Sequence, residues 1–114
     1  MESPFLEEEI FSRFNYDINF LIELGQIFIT NSKQHLELLK EAIKNKDYLQ
    51  LEKSAHTLKG TASNFGDITV VNIAYKIEII ARTGKIEDAE TLIPLLEEEL
   101  NHLHKELNKL TIFV

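Results

Sequence analysis

Apolar residues recur every three or four positions through nearly the whole chain, and no stretch alternates apolar and polar in the manner of a half-buried strand. The pattern is plainest at the C-terminal end, where Ala89, Leu92, Leu96, Leu100, Leu103, Leu107 and Leu110 mark one side of a helix expected from about Ile86 to Leu110. Pro94 interrupts it. Its ring would clash with the carbonyl of Glu90 and remove a backbone hydrogen bond, so a kink or a restart is expected there. A long helix is expected from about Asp17 to Lys46, with Leu21, Leu24, Phe28, Leu36, Leu39 and Ile43 on its stripe and a polar interruption from Thr30 to Gln34. Asp47 opens the next one with Asp-Tyr-Leu-Gln, a pattern resembling a capping box, and that helix ends near Asn64 to Gly66. Asp67 caps a further helix to about Arg82, carrying Val70, Ile73, Ala74, Ile77 and Ile80, with Gly84 as its stop. A short first helix, about Pro4 to Phe14, has Pro4 in its first turn, where a missing N–H does no harm. Short connections set neighbouring helices antiparallel, so the expected fold is all-α, an up-and-down four-helix bundle with a short extra N-terminal helix.

Length and charge narrow what such a bundle can do. A chain of 114 residues suits one domain spanning 1–114 with a single modest core. It has no cysteine, so neither disulfides nor thiolate-bound zinc hold it together. The formal net charge of −7 at pH 7 repels phosphate backbones and anionic lipid, which argues against nucleic acid and membrane as partners. The N-terminus MESPFLEEE is acidic where a secretory signal would be basic, and no run of eighteen apolar residues follows; the expected location is the cytoplasm. A protein partner or a small ligand remains. The apolar end Ile112, Phe113 and Val114 either packs back on the bundle or is loosely held.

The stretch SAHTLKGTASNFG, Ser54 to Gly66, carries the chemistry. Glycine inside a helix costs roughly 1 kcal/mol against alanine, so Gly60 calls for a reason. At 100° per residue, Leu51, Ala55, Leu58, Ala62 and Phe65 form the core stripe, and His56 lies roughly 140° from its centre. The imidazole therefore points outward, with Lys59 on one flank one turn on and the bare backbone of Gly60 on the other. Such a ring is a nucleophile with a free lone pair near neutral pH. The lysine can stabilise a transferred anionic group, and the glycine leaves room for a partner's loop or phosphoryl oxygens. Leu49 on the same face can meet an apolar patch of a partner.

His56-Thr57-Leu58-Lys59-Gly60-Thr61-Ala62-Ser63-Asn64-Phe65-Gly66 resembles the signature of the histidine-containing phosphotransfer (HPt) domain, which reads His-x-Leu-Lys-Gly, a small residue, then an apolar residue and Gly. Phe28 with the Leu/Ile pattern before Asp47 resembles the family's second helix, and Ile-Glu-x-x-Ala-Arg-x-Gly at 77 to 84 its next helix end, so the likeness covers essentially the whole chain. The resemblance implies a carrier of a two-component multistep phosphorelay, not an enzyme in its own right. His56 would take a phosphoryl group from an aspartyl phosphate on one receiver domain and pass it to another, Lys59 would steady it, and Gly60 would leave access. The partners implied are receiver domains of response regulators or hybrid histidine kinases, with Mg²⁺ on the receiver and no cofactor on this chain. The family often places a glutamine where Glu78 aligns; an ionised carboxylate cannot donate a hydrogen bond and would repel phosphate, with Arg82 one turn on as a substitute. Glu78 and Arg82 also have the spacing of a surface ion pair.

A second reading is a helical adaptor, or a degenerate relative that docks receivers without carrying phosphate. No nucleotide-binding loop is present, so self-phosphorylation is not expected. Starting at Met1, the chain looks like a free-standing carrier, although a domain cut from a hybrid kinase would look similar. His102 and His104 are two residues apart and face differently, Glu99-x-x-His102 has no second copy to complete a di-iron site, and His35 stands alone, so no metal site is expected and all three are read as structural or surface residues.

Overall fold

The computed structural model of the protein describes residues 17–110. Four long helices and one helical turn make up this part: α1 (Ile18–Asn45), α2 (Tyr48–Ser63), α3 (Ile68–Thr83), the turn α4 (Glu87–Glu90) and α5 (Ile93–Lys109). The expected first helix at Pro4 to Phe14 and the apolar end at 112 to 114 lie outside the described residues. Helices α1 and α3 each pack on both α2 and α5, which closes the four long helices into a bundle around one core.

Local chemistry sets the corners. Asp17, Asp47 and Asp67 each accept a hydrogen bond from the amide three residues on, capping α1, α2 and α3. Between α1 and α2 only two residues intervene. Lys46 takes the left-handed conformation (φ 54°) that ends α1, and Asp47 at once starts α2. Only half of the expected capping box forms: Gln50 turns its side-chain amide to Ser54 Oγ (2.5 Å), one turn further along, instead of back toward the Asp47 amide. The turn from α2 into α3 passes through Gly66 at φ 71°, a conformation that residues with a Cβ seldom adopt. Pro94 produces a restart: α4 is a single turn, and α5 begins afresh with the proline in its first turn.

The stripe foreseen for α2 is the centre of the core, with Leu51, Ala55, Leu58, Ala62 and Phe65 all at 0 to 1 % exposure. Phe65 meets Phe28 of α1, ring centroids 5.0 Å apart, while Leu24 and Ile43 sit at the core's edge, only partly buried. The polar interruption in α1 has a specific use. Ser32 is buried, donates to the Ile29 carbonyl and shares a 2.8 Å hydrogen bond with Nε2 of buried His104 on α5. A polar pair thereby joins two helices inside the bundle.

Burial, with a smaller contribution from the charge of Lys33, holds the His104 imidazole down from 6.5 to about 4. The fold thus favours the neutral ring. Its contribution to stability is complete above pH 6.5 and erodes as pH falls toward 4, where the unfolded chain binds a proton that the native one refuses. Wild-type protein is expected to lose as much as about 3 kcal/mol over that interval from this residue. A His104→Gln variant, whose amide can keep the bond to Ser32 but does not titrate, should show a shallower acid slope in denaturant melts; equal slopes would remove His104 as the cause.

Candidate functional site

The same helix that forms the core presents the chemistry on its outer side. His56 has 66 % of its side chain exposed, and Lys59, one turn on, has 26 %. Gly60 lies beside them within α2, and a Cβ built there would meet nothing within 4 Å. No neighbouring helix requires a glycine at this point. A Gly60→Ala variant should therefore raise stability by about 0.5 to 1 kcal/mol, because the unfolded chain loses freedom and the fold loses nothing. Transfer to and from a docking partner should slow. A lower melting temperature with unchanged transfer would instead assign the glycine to packing.

Helix α3 lies directly under this face and supplies Glu78, the residue whose role is corrected most by the structure. The ion pair with Arg82 that the spacing suggests does form, but Glu78 joins it from a buried position. The side chain is 1 % exposed, and its two oxygens take three donors: Oε2 accepts from His56 Nδ1 at 2.8 Å and from Arg82 Nη2 at 2.5 Å, and Oε1 accepts from Lys59 Nζ at 2.6 Å. Burial on its own would raise this carboxyl. The hydrogen bonds from Lys59 and His56 and the charges of Lys59 and Arg82 outweigh burial and hold it below its ordinary value. Glu78 is thus a carboxylate at neutral pH, and because it can only accept, the proton of the His56 ring resides on Nδ1. The lone pair is then on Nε2, the other ring nitrogen. In this structure the carboxylate is compensated by two cations and lies behind the ring.

Lys59 reaches that carboxylate instead of standing alone beside the imidazole, and its ammonium also lies 5.0 Å from the centre of the Tyr75 ring. Arg82 also reaches α2, where its Nε donates to Glu52 Oε2 at 2.7 Å. Glu52, His56 and Lys59 on α2 thus interlock with Tyr75, Glu78 and Arg82 on α3. Helical spacing places Glu52 on the face of His56, where a solvated surface role is expected from sequence, whereas Tyr75 is not singled out by it; the three-and-four spacing of Tyr75, Glu78 and Arg82 along α3 was the available signal for the tyrosine. Leu49 stands exposed at 66 %, on the helix that carries His56.

The remaining histidines are not brought to this face. His102 is exposed on α5, His104 is buried against Ser32, and His35 is half-buried on α1. Among the described residues no helix is long and apolar enough to cross a membrane.

Comparison with known proteins points the same way. The family model described as Hpt domain matches residues 23–106. The chain is 29 % identical over 89 residues to the phosphorelay intermediate protein rdeA of Dictyostelium discoideum; the match takes in 78 % of this chain and 35 % of that protein, so the chain spans about a third of its length. Among solved structures it resembles the histidine-containing phosphotransfer protein B (HptB) of Pseudomonas aeruginosa PAO1, with a TM-score of 0.85 over 95 % of both chains at 24 % identity, a likeness of fold.

Proposed function

Because the chain belongs to the Hpt domain family, we propose that it is a phosphoryl carrier of a multistep phosphorelay, with His56 as the residue that bears the phosphoryl group. The observation that carries this reading is the hydrogen bond from His56 Nδ1 to the buried carboxylate of Glu78, on a ring otherwise mostly in solvent. It leaves one nitrogen oriented and nucleophilic. In the proposed reaction the Nε2 lone pair attacks the phosphorus of an aspartyl phosphate on a receiver domain. The bond from phosphorus to the aspartyl oxygen breaks, and the aspartate departs as a carboxylate with the electron pair. No proton need move, since Nδ1 keeps its hydrogen and Glu78 stabilises the positive charge the ring acquires. Lys59 steadies the phosphoryl oxygens, and the open side at Gly60 admits the partner. The second transfer reverses these steps with another receiver.

The divalent ion such a transfer uses is assigned to the receiver, and the donor and acceptor to receiver domains of response regulators or hybrid kinases. This chain acts as a carrier in the cytoplasm, without catalytic turnover of its own. The test is incubation with a phosphorylated receiver domain and Mg²⁺. Label that is acid-labile and base-stable should appear on this chain. No label with any of several receivers, despite measurable binding to them, would make the protein a docking module that carries no phosphate.

A further inference from the structure

We infer that Arg82 is a positioning residue for His56: it holds the carboxylate oxygen to which the imidazole is bonded, balances its charge, and stays in place when Lys59 turns to the phosphoryl group. This rests on the phosphocarrier reading above. Among the described residues Arg82 is the one that donates to the same Glu78 oxygen as His56, at 2.5 Å, while its second anchor, Glu52, lies on α2 one turn before His56. Glu52, Arg82, Glu78 and His56 therefore close a ring across two helices, and any shift of the guanidinium moves the acceptor of the Nδ1 proton.

The charges around the imidazole explain why a second cation is needed. Facing it from α2 are Glu52, Lys59 and the exposed Lys53, and from α3 Glu78 and Arg82, with the Tyr75 ring behind Lys59. Glu52 and Glu78 balance Lys59 and Arg82, to which they are bonded, while the ring is neutral, and the exposed Lys53 adds one further positive charge at the edge. A buried carboxylate bonded to an imidazole with too little counter-charge favours the protonated ring, which has no lone pair to offer. A phosphoryl group on Nε2 adds negative charge just outside the ring and draws the flexible, partly exposed ammonium of Lys59 toward it. Arg82, bonded to each of two carboxylates, is the cation that remains on Glu78.

The experiment uses the full chain. The ring nitrogens of His56 are titrated by ¹⁵N NMR in wild type, Arg82→Gln and Arg82→Lys without any partner, and transfer from a phosphorylated receiver is followed between pH 6.5 and 9. Arg82→Gln should raise the His56 midpoint, slow transfer several-fold at pH 7, and recover most of the loss toward pH 9. Arg82→Lys should return the midpoint most of the way to the wild-type value. An Arg82→Gln protein that titrates and transfers as wild type, with only a lower melting temperature, would reduce the arginine to a tie between helices. The titration reads Arg82 even if wild type accepts no phosphate, so failure of the carrier reading and failure of this one are told apart.

Discussion

A His56→Gln variant is expected to accept no phosphoryl group from any receiver that labels the wild type, while melting within a few degrees of it. The two outcomes follow from the same geometry. With 66 % of the side chain in solvent, the ring contributes little packing, and the glutamine amide can still donate to Glu78, so the cost in stability should stay below about 1 kcal/mol. An amide nitrogen, however, shares its lone pair with the adjoining carbonyl and does not attack phosphorus. Transfer is monitored by loss of label from the receiver and its appearance on this chain. Label retained by the variant would place the acceptor elsewhere; a collapsed melting curve would mean that the ring supports the fold.

Removing the carboxylate behind the ring should have the next largest effect. In Glu78→Ala the Nδ1 proton loses its acceptor, the ring turns and changes tautomer freely, and Lys59 and Arg82 lose the group that gathers them. Partners that orient metal-ligating histidines are typically worth 10- to 100-fold, and an orienting partner of a phosphoryl acceptor acts on the ring in the same way, so transfer should slow by about that factor. The destabilisation should be smaller, about 1 to 2 kcal/mol, because both cations are partly exposed and can turn to water. Glu78→Gln separates the two duties of the carboxylate. Its carbonyl oxygen still serves His56 and Arg82, its amide turns a donor toward Lys59, and transfer should remain within several-fold of wild type. If Glu78→Ala transfers at the wild-type rate, the tautomer argument fails and the carboxylate serves only to join α2 and α3.

What could be read from the sequence was whatever depends on one helix at a time. The core stripe of α2 and the outward position of His56 follow from the angular step per residue, and the Pro94 restart follows from a clash within the chain's own backbone. The pairings between helices were not legible, because they depend on how two helices slide and rotate against each other. Ser32 lies 72 residues from His104, and nothing in the local pattern pairs them. Glu78 shows the limit most clearly. Read on α3 alone, with Arg82 four residues on, it has the spacing of a surface ion pair; only the approach of α2 buries it and turns Lys59 and His56 onto it. Gln50 departs for a different reason, since Ser54 one turn on competes for the side chain that the capping box would use.

Nδ1 is occupied on the inward side, so the proposed relay has a single berth. Incoming and outgoing aspartates must then take turns at Nε2. Direction of traffic then belongs to the receivers, through their abundance and how fully each is charged, and the carrier itself imposes no arrow.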